Sequence, residues 1–336
     1  MPIDPTRYIR LFVLFSLVYL ICAFTLSLSL HGATGLAGLA SLVPHLLGCV
    51  VVALVGSRLP RFICGTLVAF TAIPIFFWSF SKIKTTMPLI MDYWADGLLA
   101  KLDRALHLGS DAWIYAHYMT DWLPIRAVEV LYLDGWGCLI CGVQFVALAL
   151  DSNQKRAAAY LCIYVLSWVA VGNVLALVFL SVGPVYSDAL LNEDSFADLN
   201  IALQESGIAQ SVVGRLQDWL WQLHSLGETQ FGSGISAFPS VHVSVATVAA
   251  FYMHDMARHA VVSVIAVLIV LTILLLSVMI GWHYAVDGYA SILIVAGLRY
   301  LLIVRRGLAS KPWRRLVARS SQSTHSVMID PTRSGG

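Results

Sequence analysis

Apolar residues run through this chain in long blocks, broken by short charged clusters rather than by the stripe or alternation of a soluble fold. Eight blocks, at approximately 9–30, 36–56, 62–80, 127–150, 157–181, 240–254, 260–280 and 286–304, are candidates to cross a hydrocarbon core, which takes roughly 20 helical residues. The sixth is short, and the eighth begins inside a polar motif. The pattern predicts an all-α polytopic membrane bundle of about eight transmembrane helices, with no internal repeat. Links on one side are tight, as between Asp151 and Arg156. Two other segments are long. Residues 81–126 interleave aromatic and charged positions, which predicts short helices lying at the membrane interface. Residues 182–239 carry Gly183-Pro184, an acidic patch at Glu193, Asp194 and Asp198, and a helix-like stretch near 205–224. They end in Gly232-Ser233-Gly234, expected to be flexible. Connections this long are uncommon unless functional or disordered, and both are expected to form a lid. The chain is expected to divide into N-terminal membrane helices (1–80), a membrane domain that carries both long segments (81–304) and a cytoplasmic tail (305–336). Beyond Arg319 the tail is rich in Ser, Thr and Arg and is expected to be disordered.

Composition removes the soluble classes. Hydrophobic residues make up 59% and charged residues 12%, against about a quarter charged in soluble domains; mean hydropathy is +0.79. A net charge of +2, without a basic and aromatic pattern, gives no reason to expect a nucleic-acid partner. Charge placement orients the bundle. Arg7, Arg10, Arg58, Arg61, Lys155, Arg156 and Arg258 fall on one side of an eight-span chain, as do Arg305, Arg306, Lys311, Arg314, Arg315 and Arg319. The positive-inside rule makes that side cytoplasmic. The first span could be read as a signal peptide, but its apolar run is too long and lacks a clean cleavage site, so it is expected to stay as an anchor. Six cysteines lie within spans. Cys138 and Cys141 form a single C-x-x-C with no second pair, and all six read as small packing residues without disulfides.

Two polar motifs sit at helix ends on the non-cytoplasmic side: Ser236-Ala237-Phe238-Pro239-Ser240-Val241-His242 and Gly281-Trp282-His283-Tyr284-Ala285-Val286-Asp287. An ionisable group beside a membrane span is costly unless partnered or functional. On a helix His283 and Asp287 stand one turn apart, so the carboxylate can hold the imidazole. Pro239 and Ser240 are expected to open a helix whose first N–H groups suit a phosphate. Each histidine alone has a bland alternative, helix packing for His283 and interfacial snorkelling for His242. Their shared side and the Asp287 partner favour a phosphoryl-transfer site. Glu129, Asp134 and Asn173 could line a cavity or serve interhelical hydrogen bonds equally well. His242, His283 and Asp287 could also be a metal set. However, no H-E-x-x-H is present and Pro-Ser suits an anion, so neither metal nor other cofactor is expected.

Phe238-Pro239-Ser240-Val241-His242-Val243 with Gly281-Trp282-His283-Tyr284-Ala285-Val286-Asp287 resembles the type 2 phosphatidic acid phosphatase superfamily. The closest resemblance is to its inositolphosphotransferase branch, which contains the inositol phosphorylceramide synthases. Leu102-Asp103-Arg104-Ala105-Leu106 and Gly183-Pro184-Val185-Tyr186 are similar to that branch as well. The resemblance implies His283 as nucleophile through a phosphohistidine, His242 as general acid, Asp287 as the group orienting His283, and Ser240 on the phosphate. It further implies a lipid phosphate or phospholipid substrate and a possible alcohol or polyol acceptor. The expected setting is a bacterial inner (plasma) membrane, with the site facing the periplasm or exterior. Two motif departures stand out: no lysine with a following Arg-Pro, and Leu276-Ser277 where Ser-Arg would precede the second histidine. Phosphate charge must then be met elsewhere. Lys101 and Arg104 are the chosen candidates, with Arg126 and Arg215 also on that side. Two alternatives stand beside the enzyme reading: a non-catalytic lipid-binding or transport protein, and a vanadate-using peroxidase of the same superfamily. The first would need broken central helices, and the second fits eight spans poorly.

Overall fold

A computed structural model describes residues 7–32, 38–120, 122–191 and 194–305. Glu193 and the tail positions Arg306, Lys311, Arg314, Arg315 and Arg319 lie outside them, as does the expected disorder of the tail. The described residues form helices and no strand. That follows from the solvent, because in lipid a helix satisfies its backbone polar groups internally. Among the described residues seven helices are long and apolar enough to span: α1 (Arg7–His31), α2 (Leu39–Arg58), α3 (Arg61–Leu89), α6 (Ile125–Leu150), α7 (Gln154–Val178), α12 (Ala260–Met279) and α13 (Ala285–Val304). Between α3 and α6 lie α4 (Asp96–Leu106) and α5 (Ala112–Thr120). Between α7 and the first motif lie α8 (Pro184–Leu191), α9 (Ala197–Glu205) and α10 (Val212–Leu226).

The sixth expected span is α11 (Val241–Ala257), with 17 residues. At 1.5 Å per residue it is about 25 Å long, short of a full hydrocarbon core. Its surroundings account for this, because α11 is the central helix, packed by α6, α7, α12 and α13 and buried along most of its length. Elsewhere, aromatic edges knit the helices together. Trp168 of α7 takes Phe77 and Phe80 of α3 edge-on, with ring centroids 4.9 and 4.7 Å away. Pro74 lies inside α3, which continues through it.

At one end of the bundle a polar network joins α7, α11 and α13. Arg299 pairs with Asp255 at 2.7 Å, and Tyr160 hydrogen-bonds both. Arg156 pairs with Asp151 at 2.7 Å and donates to the Asp255 carbonyl at 3.1 Å. Arg61 also reaches this end, donating to the Ala147 carbonyl. Arg299 and Asp255 are almost fully buried, and buried charges of this kind persist only when paired and hydrogen-bonded. Because α11 and α13 run in the same direction, both histidine motifs sit at the opposite end of the bundle.

Candidate active site

His242 lies in the first turn of α11. Ser240 is the residue capping that turn, its Oγ accepting the Val243 N–H at 3.3 Å. Pro239 stands just ahead of the cap rather than within the first turn. The cap is tied to α13: Ser240 N–H donates to the Asp287 carbonyl at 3.2 Å, and Ser291 Oγ donates to the Ser240 carbonyl at 2.8 Å. His283 occupies the turn between α12 and α13. Its Nδ1 is 3.1 Å from Asp287 Oδ2, which also accepts the Tyr284 N–H at 3.0 Å. With Asp287 ionised, the carboxylate only accepts, which puts the proton of a neutral His283 on Nδ1 and the lone pair on Nε2. Burial first, and then the positive charge of Lys84, hold the His283 imidazole well below its ordinary value, so it is neutral near pH 7.

The two imidazoles face one another edge to face, with centroids 5.7 Å apart. His242 is held by aromatic rings, stacked on Tyr132 at 5.1 Å and against Trp136 at 4.0 Å. Both histidines line one cavity of about 490 Å³, within the range of roughly 300–1,000 Å³ usual for small-molecule sites. Leu216 and Leu220 of α10, with Phe231, Gly232, Gly234, Ile235 and Ser236, form part of its wall. The glycine stretch of the second long segment is tied down: Gly232 N–H donates to Ser81 Oγ at 2.6 Å. At Gly234 a Cβ would lie 2.8 Å from both the backbone and the side chain of Lys84, so only glycine permits this approach.

A shell of loop residues sets the His283 turn. Asp103 of α4 accepts the Val286 N–H at 3.1 Å and the Ala112 N–H at 3.2 Å. Asp96 accepts the N–H groups of Val182 and Gly183, both at 2.9 Å, and the Tyr284 hydroxyl at 3.1 Å. Gln217 donates to the Ile280 carbonyl at 2.7 Å. Burial pushes both the Asp96 and Asp103 carboxyls up, and the donated N–H groups oppose that shift.

The structure brings His242, His283 and Asp287 together. It does not bring the expected phosphate ligands to the cavity wall. Ser240 is fully buried beneath α11 as its cap. Arg104 is taken by Asp111, at 2.6 and 3.3 Å, and Lys101 is exposed on α4. Arg126 pairs with Glu129, and Arg215 donates to the Gln210 carbonyl. The cation that does line the cavity is Lys84, at the end of α3, and no carboxylate pairs with it among the described residues. Of the weaker candidates, Asn173 bonds Tyr19 and Glu129 accepts the Val212 N–H, both interhelical roles. Asp134 is exposed. Among the described residues no group of three or more His, Cys, Asp or Glu is gathered as a set of metal ligands.

The family model of the PAP2 superfamily matches residues 97–301, a stretch that holds both histidine motifs, and the chain belongs to that superfamily. No curated protein and no solved structure matches it. Membership supports a phosphatase or phosphotransferase type of activity.

Proposed function

We propose that this protein is a lipid-phosphate phosphatase or phosphotransferase working through a phosphohistidine on His283. The observation that carries the reading is the His283–Asp287 bond of 3.1 Å on a cavity wall shared with His242. His283 Nε2 attacks phosphorus and the bond to the leaving oxygen breaks. His242 gives that oxygen its proton. Water or an alcohol then attacks the phosphohistidine, its proton passes to His242, and the P–N bond breaks. Lys84 and the N–H groups of Val241 and His242, left over at the start of α11 once Ser240 has capped the Val243 N–H, would meet the phosphate charge. Transfer to a polyol, as in the inositolphosphotransferase branch, is the version suggested by the Leu102–Leu106 and Gly183–Tyr186 segments. The site is proposed to face the non-cytoplasmic side, because it lies at the end opposite Arg61 and Arg156.

The test traps the labelled phosphoenzyme and compares activated with unactivated esters. His283→Ala should abolish the phosphoenzyme and all turnover. His242→Ala should lose roughly 100- to 10,000-fold on an alkyl ester, and much less on a nitrophenyl ester whose leaving group needs no proton. Asp287→Asn should fall between them. A phosphohistidine in His283→Ala, or equal losses on both esters in His242→Ala, would overturn the assignment.

A further inference from the structure

The cavity does not end at the histidines. Leu133, Trp136, Gly137, Ile140 and Cys141 all line it, and their spacing places them on one face of α6. From Leu133 to Cys141 that face extends about 12 Å along a membrane span. Phe77 and Phe80 of α3, with Trp168 of α7 edge-on to both, line it as well. Cys141, halfway along this span, lines the cavity and is exposed. Gly137 is the informative residue. Glycine in a membrane helix ordinarily lets another helix approach. At Gly137, however, a Cβ would meet no atom within 4 Å. The position brings no helix closer; it leaves room in the groove wall.

Taking the catalytic reading above as its basis, we infer that the α3–α6 groove holds a hydrocarbon chain of the lipid whose phosphate lies at His283, with Gly137 setting its width. The groove is continuous with the histidine pair, lies within two membrane spans, and has apolar side chains along most of its length. A chain entering from the bilayer would therefore stay in an apolar setting while its headgroup reached Lys84 and His283.

The test pairs Gly137→Phe with Gly142→Phe. Gly142 lies in the same span with equally open space at its Cβ but is not on the groove wall. Substrates are a long-chain phosphatidic acid in mixed vesicles and a short-chain, water-soluble analogue. Gly137→Phe should lower kcat/KM on the long chain by about tenfold or more, comparable to losing roughly two buried methylenes. The short chain should change less than about twofold, which also shows that the variant is folded, and Gly142→Phe should spare both. Equal losses on the two substrates, or none on the long chain, would overturn the inference. A second readout does not need turnover: a long-chain phosphatidic acid with a terminal diazirine should crosslink to residues 133–141, and Gly137→Phe should remove that label. Crosslinking there without turnover of any phosphate ester would retire the catalytic reading and keep the groove. Crosslinking elsewhere would retire the groove.

Discussion

At the scale of single residues, the site is a neutral imidazole, His283, on a cavity wall shared with Lys84, which no carboxylate pairs among the described residues. The His283 and Asp287 pairing was legible from sequence because it is local: four residues on one helix start, visible as a spacing. The cation on the cavity wall was not. Lys101 and Arg104 were chosen because their segment lies on the same side of the membrane, yet side and sequence say nothing of partners. Asp111, seven residues on, takes the Arg104 guanidinium. Lys84 comes from another span, and only the packing of α3 against α7 and the Gly234 segment brings it to the histidines. If it binds the phosphate, Lys84→Met should keep the stem packed beneath Gly234 while removing a charge-assisted bond worth roughly 1.5–3 kcal/mol. The expected result is a fall in kcat/KM of about 10- to 150-fold, weaker inhibition by inorganic phosphate, and partial rescue by Lys84→Arg. An unchanged phosphate inhibition constant would reject the role.

At the scale of elements, the spans announced themselves through length and hydropathy: seven of the eight expected blocks correspond to helices long and apolar enough to span, and the sixth is the shorter α11. What the pattern did not reveal is how the external segments support the site. The Leu102–Leu106 segment drew attention through a resemblance, with its arginine as the candidate ligand. In the fold its aspartate does the positioning, accepting the Val286 N–H at the start of α13. Backbone amides have no sequence signature, so a carboxylate that serves them cannot be read from spacing. The notional division at residue 80 also runs through α3, whose Phe77, Phe80, Ser81 and Lys84 all line the cavity. Asp103→Leu leaves two buried N–H groups without an acceptor, at about 1–3 kcal/mol each. Thermal unfolding of the solubilised protein should show a clear loss, and turnover should fall because His283 is held by the same turn. Asp103→Asn keeps one acceptor oxygen and should lie between it and the native chain. A melting temperature unmoved by Asp103→Leu would show that α13 does not depend on this cap.

At the scale of the whole molecule, the bundle has two unlike ends: an ion-pair network around Arg299 and Asp255, and the histidine cavity. The arginine pattern in the sequence anticipated this polarity, because charged clusters can only sit where spans emerge. It could not anticipate that Arg299 and Asp255 are buried against one another, which depends on α11 and α13 lying side by side. Both termini are expected in the cytoplasm, with His242 and His283 on the other side. A reporter fused after Arg305 should be active only in the cytoplasm, and activity outside would reverse the orientation. If a lipid enters through the groove between α3 and α6, there is a consequence for rate. A site filled sideways from the bilayer meets its substrate as a surface density, so its saturation follows the mole fraction of that lipid among its neighbours. Detergent or inert lipid then slows the protein by dilution in two dimensions, even when the amount of substrate per litre has not changed.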